Sequence, residues 1–202
     1  MVVTTSLLVA PTYTDQDLPE GQYDYRITAV DRAGNASPPT SHAVHVDLTA
    51  PVVALLSPVE GASVSGSVDV RGTAFSLDDF AEFRLYAGQG ASPTAWTLID
   101  RSGVPVSAGL LGTWTPAQAG PHALALEADD RSGNQARVVV SVMVDHTPPV
   151  SPSLVSVVNG PQVDALTVTW QPKSGPDVIG YLVYRNGRIA KAPGLVSGDL
   201  RP

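Results

Sequence analysis

Two stretches of the chain nearly repeat one another. AVDRAGN ends at Asn35 and leads into VDLTAP (46–51), and ADDRSGN ends at Asn134 and leads into VDHTPP (144–149). The interval is about a hundred residues, too long for a small solenoid repeat and suited to one β-sandwich domain. One unit is therefore bracketed by two copies of the same strand ending and linker. On this reading the piece before it is the end of a domain and the piece after it the beginning of one.

The 202 residues suffice for one large domain or two of sandwich size. Hydrophobic residues make up 43% and charged residues 15%, a balance that supports packed cores despite 18 Gly and 18 Pro. The net charge of −7 disfavours nucleic acid as a partner, because phosphate binding needs clustered Lys and Arg. With no Cys, disulfides, thiolate metal sites and Cys nucleophiles are excluded. No apolar run approaches the length of a membrane span. The opening MVVTTSLLVAPTY lacks a basic region and reads as strand and loop, not as a signal peptide.

Alternation with period two runs through all three pieces. In 22–30, Tyr23, Tyr25, Ile27 and Ala29 face one way and Asp24, Arg26 and Thr28 the other, which predicts a half-buried antiparallel strand. HAVHVD predicts a second short strand. In the bracketed unit VVALLSP, SVDVRGTA, AEFRLYAG, AWTLID, HALALEADD and ARVVVSVMVD are strand-like runs separated by Gly, Pro, Ser or Asp. Val138, Val140, Val142 and Val144 share one face. After Pro149, Leu166, Val168 and Trp170 share a face, and so do Ile179, Tyr181 and Val183, followed by an Asn186-Gly187 tight-turn signal. No segment carries a helical period of three turns. The prediction is an all-β chain.

LPEGQYDYRITAVDRAGNASPP resembles the last strands of a bacterial fibronectin type III domain, and LTVTWQP with DVIGYLVYRNG resembles its first strands. Residues 52–147 resemble bacterial immunoglobulin-like repeats. The resemblance implies an immunoglobulin-like β-sandwich over 49–147, with partial fibronectin type III-like β-sandwich segments at 1–48 and 148–202. It also implies a tyrosine corner at Tyr23, whose phenol would bond a backbone group upstream. Aligning Gly21–Tyr23 with Gly120–His122 puts His122 at the same corner, with an imidazole that can bond backbone in place of the phenol.

Several constellations bear on chemistry. Asp47 and Asp145 each end a domain immediately before a linker, where acidic residues can gather oxygen ligands for calcium, and Asp31, Asp129 and Asp130 lie on turns that could contribute. The adjacent pairs Asp78-Asp79 and Asp129-Asp130 point in opposite directions if extended, so turn capping is their default role. His42, His45 and His146 suit surface positions. No GxSxG pattern or oxyanion motif accompanies the Ser, His and Asp residues, so a non-catalytic chain is expected. Trp96, Trp114 and Trp170 could serve as sugar platforms only if exposed, and their patterns suggest burial.

The expectation is a structural spacer or interaction module of a multidomain secreted or cell-surface bacterial protein. The linkers at 49–51 and 147–149 are stiffened by proline. The alternative is an adhesive or carbohydrate-binding accessory module of an extracellular enzyme, or a strand-complemented head-to-tail polymer subunit. Expected partners are neighbouring domains of the same polypeptide or other copies of the chain, with carbohydrate or a surface protein as a further possibility and neither nucleic acid nor membrane insertion. Neither flanking half buries a full core alone. The halves suit either a segment of a longer repeat protein or complementation, within one chain or head to tail between chains.

Overall fold

The computed structural model describes residues 7–160, 162, 164–171 and 178–190. The chain divides into two compact units, Met1–His146 and Thr147–Pro202. Every regular element described is a strand.

The first unit opens with a hairpin, β1 (Gly21–Ile27) and β2 (Thr40–Val46), paired antiparallel with Tyr23 opposite Val44 and Tyr25 opposite His42. The Tyr23 hydroxyl donates to the Pro19 carbonyl at 2.7 Å, which is the corner contact expected of it. The Tyr25 hydroxyl donates to Asp15 Oδ2 at 2.9 Å, and that bond holds the phenol in its neutral form and raises its pKa. The predicted strand is shorter than its alternation: it stops at Ile27, and Val30 then makes an isolated bridge to Ala36 around the DRAGN turn.

Eight further strands complete the unit: β3 (Val52–Ser57), β4 (Ala62–Val64), β5 (Val68–Phe75), β6 (Phe80–Gln89), β7 (Thr97–Ser102), β8 (Val106–Trp114), β9 (Gly120–Asp130) and β10 (Gln135–Val144). They form a five-stranded sheet in the order β4-β10-β9-β6-β7 and a three-stranded sheet β3-β5-β8. All pairings are antiparallel except β4 with β10. The core lies between the sheets. Val70, Ala74 and Leu111 come from the smaller sheet, and Phe83, Leu85, Leu124, Leu126, Val140, Val142 and Val144 from the larger. This is a generic β-sandwich arrangement. The alternating valines of β10 face this core, as their period requires, with Val140, Val142 and Val144 buried and Val138 packed against them.

Two elements have no counterpart in the sequence reading. β8 is Gly- and Ala-rich, and its pairing with β5 shifts register twice, so its alternation is broken. Gly72, at one of those shifts, lies so close to β3 that an added Cβ would come within 2.1 Å of the Ala54 carbonyl oxygen. β4 is three residues long, too short to show a period.

Among the described residues, the second unit holds two small antiparallel pairs. β11 (Ser153–Asn159) pairs β12 (Leu166–Gln171), and β13 (Tyr184–Arg185) pairs β14 (Arg188–Ile189) across Asn186 and Gly187, whose φ values of 52° and 77° suit the tight turn read there. The strand expected over 179–183 does not form. Residues 178–183 have no ladder partner among the described residues, and alternation without a neighbouring strand does not make a sheet.

Candidate functional site

The DRSGN turn between β9 and β10 is built by one side chain. Asp130 Oδ1 accepts from the Asn134 amide at 2.8 Å, and Oδ2 accepts from Asn134 Nδ2 at 2.9 Å. The backbone closes the loop, with Asp130 N donating to the Asn134 carbonyl. Gly133, at φ 95°, supplies the left-handed residue. The DRAGN turn after β1 repeats each contact: Asp31 accepts from the Asn35 amide at 2.8 Å and from Asn35 Nδ2 at 2.9 Å. These bonds hold the Asp31 carboxyl below the usual aspartate range.

Asn134 does a second thing. Its Nδ2 also donates to the Asp47 carbonyl at 3.2 Å, tying the linker after β2 to the far hairpin of the sandwich. The linker is further shaped by Asp47 Oδ1, which accepts from the Thr49 amide at 2.9 Å, and by the Thr49 hydroxyl, which donates to Glu20 at 2.8 Å. From the β5–β6 turn comes Asp79. Its carboxylate accepts from the Ser76 hydroxyl at 2.7 Å and the Ser132 hydroxyl at 2.8 Å, and its carbonyl accepts from Arg131 N. The Ser76 bond, then the Ser132 bond, hold the Asp79 carboxyl below the usual aspartate range.

These elements bring Asp47, Asp79 and Asp130 together, one carboxylate oxygen from each lying within 4.8 Å of the others. Asp130 is buried and the other two half-buried. Three hard oxygen donors in a partly buried cluster, beside the Ser76 and Ser132 hydroxyls, are a donor set that fits a hard divalent cation such as calcium.

Asp47, marked by the sequence, is in this cluster, and so is Asp130. Asp145 is not: it follows β10, where its amide donates to the Val64 carbonyl at 2.9 Å. Asp31 caps its own turn. Asp79 was read only as a turn cap, and no periodic signal links it to residues 32 and 51 positions away. Asp129 faces away from Asp130, as adjacent strand residues must, and pairs with Arg84 at 2.5 Å.

That second face carries a charge ladder. Arg84 reaches Glu82 and Asp129, while Glu127 lies between Arg84 and Arg137. Arg137 also stacks over the Trp96 ring at 5.0 Å. Of the other tryptophans, Trp114 is buried against His122 with ring centroids 5.4 Å apart, and Trp170 meets Tyr181 at 5.5 Å. His122 Nδ1 lies 3.1 Å from the Gly120 carbonyl, so the imidazole takes up the backbone contact read for it at the corner. His42, His45 and His146 are exposed.

No protein-family model and no curated protein sequence matches the chain. Among solved structures it is similar to the fibronectin(III)-like modules of Clostridium thermocellum CbhA, at 23% identity and TM-score 0.37, over 46% of this chain and 94% of that one. It is similar to an engineered protein at 21% identity and TM-score 0.35, over 47% of this chain and 20% of that one. It is also similar to the endo-beta-1,4-mannanase from Thermotoga petrophila, at 15% identity and TM-score 0.37, over 50% of this chain and 21% of that one. The chain thus matches only about a fifth of the length of the last two.

Proposed function

We propose that the chain is a non-catalytic spacing and interaction module of a multidomain secreted or cell-surface protein. In this reading 49–147 is an immunoglobulin-like domain, flanked by fibronectin type III-like segments at 1–48 and 148–202. The function is to hold neighbours at a set distance and angle. The observation that carries it is the joint at Asp47: Asn134 of the sandwich grips the linker carbonyl, and three carboxylates from linker, β5–β6 turn and β9 converge beside it. A linker gripped by the next domain transmits orientation, whereas a free one does not.

The same joint suits calcium. A cation held by Asp47, Asp79 and Asp130 would cancel the mutual repulsion of the carboxylates and lock linker to sandwich. Melting in added calcium against EDTA tests this. At a hundredfold excess over Kd, calcium should stabilise the unit by about 2.7 kcal/mol. Chelation should reverse the gain, protease cleavage at 47–51 should slow with calcium, and Asp79→Asn should abolish both effects. A melting temperature indifferent to calcium and EDTA would remove the cation and leave a hydrogen-bonded joint. Rapid cleavage of the linker in every condition would remove the spacer reading as well.

A further inference from the structure

The larger sheet has an outer face of two halves. Antiparallel pairing sets its outward residues in rows across β6, β9 and β10. Nearest the DRSGN turn the rows are polar: Glu82, Asp129 and Gln135, then Arg84, Glu127 and Arg137. The next two are apolar or small: Tyr86, Ala125 and Val139, then Gly88, Ala123 and Ser141. The outward residues of a half-buried antiparallel sheet are ordinarily wetted. Ala123 and Ala125 are not. Both are fully buried, yet they stand outside the core cluster between the two sheets, to which Leu124 and Leu126 belong. They are covered from the other side.

The cover is the segment that joins β6 to β7. It is rooted where Gly90 N donates to the Pro121 carbonyl at 2.7 Å. It then folds back over the sheet: a Cβ added at Gly88 would lie 2.4 Å from Pro93 Cβ and 3.0 Å from the Ala95 carbonyl oxygen. Half-buried Trp96 carries it on to β10, where the Arg137 guanidinium sits 5.0 Å from the ring centroid. Gly88 is on β6 and Arg137 on β10, so a segment touching both crosses β9, where Ala123 and Ala125 lie. No side chain of 91–96 makes a hydrogen bond among the described residues. Beyond its root the segment is held by packing and by Arg137, which Glu127 steadies in turn at 3.4 Å.

We propose that residues 90–96 form a releasable strap, latched by Arg137 on Trp96, and that undoing the latch uncovers Ala123 and Ala125 while both sheets stay folded. The latch is one cation–π contact at a partly exposed site, a small fraction of what holds a domain together. The strap therefore opens at a free energy below that of global unfolding. Latched, the outer face is a charge ladder beside a closed cover. Released, it presents an apolar channel between Tyr86 and Val139.

The chain has no Cys, so one introduced thiol is the only thiol present. Ala125→Cys puts it under the strap, and Ala128→Cys puts it in the core between the sheets. Alkylation of the folded full chain by iodoacetamide should modify position 125 faster than 128. The rate at 125 should be indifferent to low urea, and the rate at 128 should climb with it. Arg137→Ala should quicken modification at 125 by about fivefold, the worth of a partly exposed cation–π contact, and leave 128 unchanged. Gly88→Ala should quicken it as well, by pushing Pro93 off the sheet. Arg71→Ala removes an exposed arginine of the other sheet and should alter neither rate. Circular dichroism checks that each variant is folded. A thiol at 125 that reacts only as fast as one at 128 overturns the proposal, because the cover then opens only with the sandwich. So does a thiol at 125 that reacts as fast as in the unfolded chain, or an Arg137→Ala background that leaves its rate unchanged.

Discussion

Asn134 shows how much one side chain carries in this protein. It closes its turn on Asp130 and grips the linker at Asp47 through the same amide nitrogen. Asn134→Ala should cost about 1–3 kcal/mol, the range for leaving hydrogen-bonding groups unsatisfied at a part-buried site. Denaturant melting followed by tryptophan fluorescence reads the loss, and faster cleavage at 47–51 reads the freed linker. Asp31 gives a pH prediction with a definite sign. Its folded pKa is lowered, so its turn is stabilised above the ordinary aspartate value of about 3.9 and loses that support as pH falls through the lower folded value. The protection factor of the Asn35 amide should therefore hold when pH falls just below that ordinary value and drop only as pH passes through the lower folded one. Asp79, lowered by its two serine bonds, follows the same sign, so an ionised carboxylate persists at the joint in mild acid.

At the scale of elements, the sequence announced those with clean alternation and obligatory turn chemistry. The valines of β10, the β1–β2 hairpin, Asn186-Gly187 and the paired corners at Tyr23 and His122 were all legible, because each follows from local period or from the internal repeat. β8 was not, since its glycines and bulges erase the period. The Asp79 contribution was not, because three turns from distant parts of the chain converge only after folding. The 179–183 strand was over-read: its pattern is that of a strand, but a strand also needs an edge to pair with. Gly72 illustrates a constraint invisible in sequence. Gly72→Ala forces a methyl into the Ala54 carbonyl and Leu111, and should destabilise the sandwich by about 3 kcal/mol, the upper end for overpacking. Urea melts of the variant check this, with Gly34→Ala as a contrast that strains only an exposed turn.

The whole molecule has two cores of unequal quality. Leu85, Leu111, Leu124 and Leu126 are fully enclosed in the first unit, while the second leaves Leu154, Leu166 and Ile179 in solvent. Such a chain should not melt as one body. Calorimetry should show separable transitions, and Leu126→Ala should lower the sandwich transition by about 2–5 kcal/mol of stability while leaving the other in place. A single transition that moves as a whole would contradict this.

The parallel pairing of β4 with β10 has a mechanical meaning. The sandwich is entered at Pro51 through β3 and left at Asp145, and β4, the second strand after the entry, runs beside the last strand in one direction, Ala62–Val64 along Val142–Val144. The patch is flanked by Gly61 N donating to Ser141 O at 2.8 Å and Asp145 N donating to Val64 O at 2.9 Å. Once β3 has peeled from β5, tension applied through the two linkers pulls β4 and β10 lengthwise past each other, so their hydrogen bonds bear load together and not one after another. A few residues of ladder at the rim thus set the force at which the whole domain gives way, and a pulling experiment would read the strength of that patch and not the depth of the core.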